Sequence, residues 1–433
     1  MGKLKEALYP FRFALILLGG LLLVIIGVKI FGKVSTYEKK TDQPITSIEA
    51  ECGKTYHSIN DIDLKDFTIK AEHSDGIKNT ISSEDVILNT DNCKPVGEKV
   101  EVEIMLTEHK DIKCTCEVKI KREKIMGFQC GYPTVTDVIA VLYSNGELCF
   151  EGKGDVLVFY EGEQPWLNYE EAEECPIISV SFQKEVTPTN MNFWFKGLKT
   201  LTYVEPIPSS VRTMVRTFEG CENLSAMADW TNSESLLNIN EAYKDCKSLV
   251  VTYPIPKRVR IAKMACAGCT ELQVAPDFTN AESLVNTTEM FKDCDKLIQT
   301  NMPMNVTDIS GMFKNCINLK TMPDLPGSVV IMKDCFSGDT NLTTLSNIPL
   351  NVDDVTSAFS GCEMITGEML VNCNPHQFNN MFQNAALATK VNLTGNSLML
   401  DVLANTSDTG NIYINKSKPN PALKTYKDVF LDD

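Results

Sequence analysis

Histidine and recognisable catalytic motifs are both scarce in this chain of 433 residues. Its four histidines (His57, His73, His109, His376) are scattered, and none stands at metal-ligand spacing from a second histidine or a cysteine pair. The sequence contains no nucleophile elbow, HExxH motif, P-loop or Rossmann fingerprint. We therefore predict that the protein is not an enzyme and carries no cofactor and no metal.

The chain also lacks an excess of positive charge. Its 41 Lys and Arg residues are outnumbered by 57 Asp and Glu, which gives a net charge of −16. The first 40 residues hold seven basic and two acidic side chains, so 34 basic and 55 acidic residues remain after them, a net charge of −21. Because such an acidic body repels phosphate backbones, we predict no nucleic-acid partner.

Long apolar runs are missing apart from one, Phe13 to Val28, which has 16 residues without a charge. As a helix it would span roughly 24 Å, and Lys29 could snorkel to extend the buried stretch. A cleaved signal peptide is the alternative, but no small-x-small cleavage site follows the run. We predict a transmembrane signal-anchor at 13–32, a cytoplasmic N-terminus at 1–12 and a linker at 33–43. The protein would cross the cell membrane once, with the bulk of the chain extracellular.

The second half repeats one short signature: an aromatic residue, any residue, then Gly, Asp or Asn, then Cys, two further residues and Leu. The aromatic position falls at 195, 218, 243, 266, 291, 313, 336, 359 and 382, with spacings of 23, 25, 23, 25, 22, 23, 23 and 23 residues. A hydrophobic-Pro pair follows in several copies, as at Ile255-Pro256. The predicted structural anchors are Phe195, Phe218, Tyr243, Phe291, Phe313, Phe336, Phe359 and Phe382, with Cys221, Cys246, Cys269, Cys294, Cys316 and Cys362.

One such unit cannot bury its apolar face alone, but stacked units can, because each covers the next. Neighbouring strands lie about 4.8 Å apart, so nine coils would form a rod of roughly 40 Å with internal ladders of anchors. Each unit should contain a short strand, a bend that ends at proline, a second extended or helical piece, and the aromatic-Cys turn. The CxxC at Cys266 to Cys269 could in isolation indicate redox chemistry or half a zinc site, but its place in the repeat favours packing.

The pattern F-x-[GDN]-C-x-x-L with its downstream hydrophobic-Pro pair resembles the BspA-type (Treponema pallidum type) leucine-rich repeats of bacterial surface proteins. The resemblance covers about residues 195–388, with departures at Cys266, Asp339 and Ala385. It implies a solenoid at 191–390 and a C-terminal cap at 391–433, in which Thr409 to Ile414 resembles a capping strand. It also implies attachment to host proteins or to other bacteria.

Residues 44–125 alternate between apolar and polar side chains, as half-buried strands do. The clearest pieces are Val100 to Leu106, Cys114 to Ile120 and Phe67 to Ala71, with a turn at Asp75-Gly76. About seven such pieces predict a small β-sandwich, and the segment resembles a bacterial immunoglobulin-like domain. The sequence leaves open whether disulfides form among Cys52, Cys93, Cys114 and Cys116.

Residues 126–190 are predicted to form a β-rich N-terminal cap of the solenoid. Asn145-Gly146 lies between two apolar pieces and is a strong hairpin signal, and a second hairpin is expected around Gly152 and Gly154. The predicted fold class is therefore mainly β: an N-terminal transmembrane helix, a small β-sandwich, and a leucine-rich-repeat solenoid of about nine coils.

We expect a membrane-anchored cell-surface binding or adhesion protein whose solenoid recognises a protein ligand on a host or neighbouring cell. Because side chains of stacked strands alternate between core and solvent, residues after the signature leucine should line one solvent-facing row. The predicted protein-binding face is Tyr203, Glu205, Val251, Tyr253, Val274, Gln299, Thr321 and Asp324. A few exposed apolar side chains are also normal on any protein surface. The alternative function is a structural component of a cell-envelope or secretion/conjugation assembly, whose repeats bind an envelope protein.

Overall fold

The computed structural model describes residues 41–90, 93–169, 175–385, 391–395 and 412–414, with Leu403, Thr406 and Ser407. The predicted signal-anchor at 13–32 and much of the predicted C-terminal cap lie outside these residues. Within the described ranges, no helix has both the length and the apolar character needed to cross a membrane. The described chain is mainly β, as predicted, with short 3-10 helices at Ile59–Asp61, Leu64–Asp66 and Ser83–Asp85.

Seventeen strands occur in the described part of the chain. In order they are β1 Ile45–Cys52, β2 Thr55–Tyr56, β3 Phe67–His73, β4 Lys78–Thr80, β5 Val86–Asn89, β6 Lys99–Leu106, β7 Lys113–Ile120, β8 Lys124–Gln129, β9 Gly131–Tyr132, β10 Val138–Tyr143, β11 Glu147–Gly152, β12 Asp155–Val156, β13 Ser179–Phe182, β14 Tyr203–Val204, β15 Gly367–Val371, β16 Val391–Gly395 and β17 Ile412–Ile414. Most of the repeat region has no strand of this kind, because its coils pair through single bridges.

The first seven strands form two sheets, of order β1-β3-β4 and β2-β7-β6-β5. The predicted strands at β3, β6 and β7 are confirmed, and Gly76 has a left-handed φ of 77° in the turn before β4. In β6, Val102 and Ile104 are buried and alternate with more exposed residues, so one face of the strand enters the core. Cys114 and Cys116 in β7 are both thiols, and burial raises the pKa of each. The immunoglobulin-like assignment stays a prediction.

The described chain divides into two compact units, and each unit is built from segments that are not contiguous in sequence. The first unit contains the described residues up to Lys54, together with Ile62–Cys93 and Glu101–Val118. The second contains Thr55–Asp61, Lys94–Val100 and the described residues from Lys119 onwards, which include the whole repeat region.

A five-stranded sheet of order β14-β13-β11-β10-β8 precedes the coils. The hairpin predicted at Asn145-Gly146 is confirmed, because β10 and β11 pair in antiparallel fashion across that turn. The second predicted hairpin is wrong, since β12 pairs with β9 and not with β11. A Cβ atom at Gly152 would lie 2.1 Å from the carbonyl oxygen of Asp137, so this glycine permits a close backbone approach and does not form a hairpin turn.

From β11 onwards the pairing becomes parallel, through β13 and β14, and the coils continue in this direction. One column of bridges runs without a break through nine coils: Asn190, Thr213, Asn238, Ile261, Asn286, Asp308, Ile331, Asp354 and Gln377. The segment for which the sequence predicted an extended or helical piece is a run of turns. Strands β15, β16 and β17 add in parallel after the coils.

The aromatic anchors form the predicted ladder inside the coils, and all of them are fully buried. Rings stack from Phe195 to Tyr243 with centroids 5.0 and 5.5 Å apart, and from Phe291 to Phe382 with centroids 5.4 to 5.9 Å apart. Cys266 interrupts the ladder because it has no ring. Trp230 and Phe278 make edge contacts with the rings on either side of this gap, at 5.6 and 6.2 Å.

Candidate protein-binding surface

The signature cysteines fix one coil to the previous one. The Sγ atom of Cys246 lies 3.1 Å from the carbonyl oxygen of Phe218, one coil earlier, and Cys362 makes the same contact with Phe336 at 3.0 Å. The contact recurs at Cys221, Cys269, Cys294 and Cys316. Burial raises the pKa of all six thiols, so they remain protonated and can donate to these carbonyls. Their role is therefore packing, as the repeat predicted.

Asp339 takes the cysteine position in one coil. Its carboxyl group is fully buried, and its Oδ1 atom accepts a hydrogen bond of 2.8 Å from the backbone N–H of Cys316. Its Oδ2 atom has no hydrogen-bond partner among the described residues. Burial raises the pKa of Asp339 well above its ordinary value. Within the described chain, no three side chains of His, Cys, Asp or Glu are placed to hold a metal ion.

The third signature position is Gly, Asp or Asn because the backbone there is left-handed. Its φ is 74° at Gly268, 59° at Asp245 and 62° at Asn315, in a region that these residue types tolerate best. At two coils, glycine leaves room for the side chain at the same position of the coil before. A Cβ atom at Gly268 would lie 2.3 Å from Asp245 Oδ1, and one at Gly338 would lie 2.2 Å from Asn315 Oδ1.

A second left-handed position, two residues before each aromatic, was missed by the sequence analysis. It carries Arg216 and Glu241, with φ of 53° and 51°, and its residue types share no pattern that could have revealed it. Arg216 and Glu241 pair at 3.0 Å, and Lys244 lies 3.3 Å from Glu241 and 3.5 Å from Glu219. This partly exposed network links neighbouring coils, and each of its ion pairs contributes modestly to the free energy of unfolding.

Five residues of the predicted face share one position, eight residues after the aromatic of their coil. They are Tyr203, Val251, Val274, Gln299 and Thr321. Bridges place Val274 opposite Gln299, Val251 opposite Ala226, and Thr321 opposite Thr344. Val251 and Val274 are 49% and 45% exposed. These positions therefore form one solvent-facing column, which we call the valine column.

The other three residues of the predicted face do not belong to this column, so the prediction of a single row is wrong for them. Glu205 and Tyr253 follow the aromatic by ten residues and Asp324 by eleven, after the chain has bent towards the hydrophobic-Pro pair. Tyr253 packs against the hydrophobic core. Burial raises the pKa of Tyr203 to about 12, and Glu205 and then Tyr253 add smaller electrostatic effects. Tyr203 within the column and Glu205 and Tyr253 beside it are thus half-buried.

Two further exposed apolar side chains accompany the valine column. Val250 and Ile298 each precede a column residue, and they are 45% and 55% exposed. Each directly follows a fully buried signature leucine, Leu249 or Leu297. Together with Val251 and Val274 they make an apolar patch on three successive coils.

Residues 285–408 match the family model of the BspA type Leucine rich repeat region, in six copies. The repeat region is of the BspA type. The coils from Phe195 to residue 284 continue the same ladders before the matched segment, so BspA-type packing extends beyond it.

Several solved bacterial structures are similar to the chain. A Treponema pallidum leucine rich repeat protein is 22% identical, with a TM-score of 0.29, and the match covers 55% of this chain and 87% of that one. A leucine-rich repeat protein from Bacteroides ovatus is 16% identical, with a TM-score of 0.25 and coverage of 67% and 99%. The pneumococcal vaccine antigen PcpA is 13% identical, with a TM-score of 0.28 and coverage of 75% and 99%. No curated protein matches the chain.

Proposed function

We propose that the protein is a cell-surface binding protein whose BspA-type repeats recognise a protein ligand through the valine column. The apolar patch of Val250, Val251, Val274 and Ile298 carries this proposal. These side chains lie on adjoining coils that the buried ladders hold rigid, and rigid apolar surface is what a protein interface buries at its centre. The half-buried Tyr203 and Tyr253 extend the same surface, and tyrosine is enriched at interfaces.

Membrane attachment is a second part of the proposal. The apolar run from Phe13 to Val28 would anchor the chain, and the body would face the outside, where a ligand on a host or neighbouring cell is accessible. External protease added to intact cells should then degrade the repeat region. Protection of the repeats in intact cells would contradict this orientation.

The valine column is tested by placing a charge on it. Val274→Asp should weaken binding of the full chain, purified in mild detergent, to host or bacterial cells by about tenfold or more, because it puts an unpaired charge in the interface. Val330→Asp is the matched control. Val330 is 37% exposed and directly precedes Ile331, which belongs to the bridge column from Asn190 to Gln377 and not to the valine column. Both variants should unfold like the wild type.

Normal binding by Val274→Asp would refute the use of this surface, and equal loss in both variants would indicate a general charge effect. If the full chain binds no foreign cell but co-purifies with envelope proteins of its own cell, the structural role in an envelope or secretion/conjugation assembly is favoured.

A further inference from the structure

Three exposed arginines stand out in this acidic protein because they have no acidic partner. Arg212, Arg258 and Arg260 are exposed, and within the described residues none of their side chains makes an ion pair or hydrogen bond. Arg216, by contrast, pairs with Glu241 at 3.0 Å and lies 3.6 Å from Glu161. A chain with a net charge of −16 has ample carboxylates to neutralise a surface arginine, so three unpaired ones in one place require an explanation.

The coil register brings these arginines together although Arg212 and Arg260 are far apart in sequence. The backbone N–H of Leu237 donates to the carbonyl of Arg212 at 2.9 Å, and that of Arg260 donates to the carbonyl of Leu237 at 2.9 Å. The N–H of Val285 donates to the carbonyl of Arg260 at 3.1 Å. Arg212, Leu237, Arg260 and Val285 therefore occupy equivalent places on four successive coils. With strands about 4.8 Å apart, Arg212 and Arg260 are roughly 10 Å from each other.

Arg258 belongs to the same surface. Arg258 lies in the turn directly before Arg260, closed by the hydrogen bond of 3.1 Å that the backbone N–H of Val259 donates to the carbonyl of Pro256, and both arginines are exposed on either side of the fully buried Val259. We call Arg212, Leu237, Arg258, Arg260 and Val285 the arginine face. Arg212, Leu237, Arg260 and Val285 each stand directly before a residue of the bridge column that runs from Asn190 to Gln377, and the arginine face shares no residue with the valine column.

The chemistry of the arginine face defines its partner. A guanidinium group presents a planar fork of donors that matches a carboxylate or a phosphate in bidentate geometry. In the row of Arg212 and Arg260, the position between the arginines and the one after them are aliphatic: Leu237 is half-buried, and Val285 is 39% exposed. A sulfated or phosphorylated polymer has nothing to place on these two side chains, whereas an acidic peptide with apolar residues does. The mixture of charge and apolar surface favours a protein segment.

We propose that the arginine face binds an acidic, extended segment of a protein partner, whose carboxylates contact Arg212, Arg258 and Arg260 and whose apolar side chains pack on Leu237 and Val285. The proposal rests on the proposed function in treating the solenoid as a protein-binding module, but it assigns a second surface and a partner chemistry. The acidic remainder of the protein would repel such a segment elsewhere, which directs it to this face.

A defined probe tests the proposal without knowledge of the natural partner. The full chain in mild detergent is titrated into a fluorescein-labelled peptide of repeated Glu-Glu-Leu-Leu, and binding is followed by anisotropy at low and high salt. We expect binding that weakens with salt, because exposed charges are screened. Arg212→Gln with Arg260→Gln should weaken it about threefold for each arginine removed, because exposed ion pairs are worth well under about 1.4 kcal/mol each. The peptide with Gln in place of Glu should not bind.

The matched control is Lys320→Gln with Lys333→Gln, which removes two exposed positive charges from other positions and should leave peptide binding unchanged. Equal binding by the arginine variant and the wild type would overturn the proposal, and so would equal losses in the arginine and lysine variants. Capture of dextran sulfate through the arginines, without capture of the Glu peptide, would assign the face to an anionic polymer and also overturn it. Val274→Asp should bind the peptide normally, so failure here and failure of the valine column are separate results.

Discussion

The strongest test of the ladder description is the pH dependence of stability that Asp339 introduces. Its carboxyl group is fully buried at a position where the other coils hold a thiol, and only Oδ1 has a hydrogen-bond partner among the described residues. A charged carboxylate without solvent or a cation is costly in such a place. The folded protein therefore holds the proton on Asp339, and burial raises the pKa of this group.

The sign of the effect follows from proton binding. Above its ordinary pKa of 3.8, Asp339 loses its proton in the unfolded chain but keeps it in the folded protein. Its contribution to stability is therefore complete below the unfolded pKa and is lost as pH rises towards the folded pKa. Between these two values, each unit of pH lowers the free energy of unfolding by about 1.4 kcal/mol. Asp339→Cys should remove this slope and restore a thiol that can donate to the coil before.

The assay is urea unfolding at several values from roughly pH 5 to 8, for wild type, Asp339→Cys and Asp339→Asn. Other carboxylates also titrate, so the informative quantity is the difference between variant and wild type at each pH. This difference should grow in favour of both variants as pH rises, at up to about 1.4 kcal/mol per unit. Asp324→Asn removes an exposed carboxylate and is the control for the change of net charge. A constant difference for Asp339→Cys as well would refute the reasoning.

Three further predictions concern the coils. Gly338→Ala should lower the free energy of unfolding more than Gly361→Ala, because both positions have left-handed φ (84° and 75°) but only at Gly338 would the new Cβ lie 2.2 Å from Asn315 Oδ1. Equal losses in urea unfolding would contradict the clash. Phe313→Ala should lower the free energy of unfolding by about 3–5 kcal/mol, because it removes a fully buried ring from the stack. A loss below about 1 kcal/mol would show that the ladder contributes little to stability. The six ladder thiols should resist a thiol reagent in the native protein and react after unfolding; rapid native reaction would contradict their burial.

The sequence predicts the inside of the solenoid well because the core imposes residue types at fixed spacing. Phe313 must be aromatic to continue a stack, Cys316 must be small and able to donate, and Asn315 must tolerate left-handed φ. Each requirement acts on a side chain or on φ at one position of every coil. It therefore leaves a period that can be counted without a structure.

The surface of the solenoid was predicted less well, because contact with solvent does not require a particular residue type at a given position of the coil. The left-handed position at Arg216 and Glu241 accepts many residues, so it leaves no pattern. The arginine face depends on register between coils, which joins Arg212 to Arg260 through hydrogen bonds of Leu237. Tyr253 was wrongly assigned to the column because the chain bends after the bridged residue Val251, two residues earlier, and Tyr253 then packs against the core. A strict strand period does not include such a bend.

The thiol ladder also explains why cysteine suits its position better than serine or alanine. The carbonyl of Phe218 accepts the backbone N–H of Cys221 in its own coil at 3.0 Å, and the thiol of Cys246 in the next coil occupies a second site on the same oxygen. Alanine could not donate, and a hydroxyl would cost more to bury. A disulfide between two ladder cysteines would consume two S–H donors and leave two carbonyls with one bond fewer. The hydrogen bonds that join the coils therefore favour the reduced thiols, independently of the distance between neighbouring sulfur atoms.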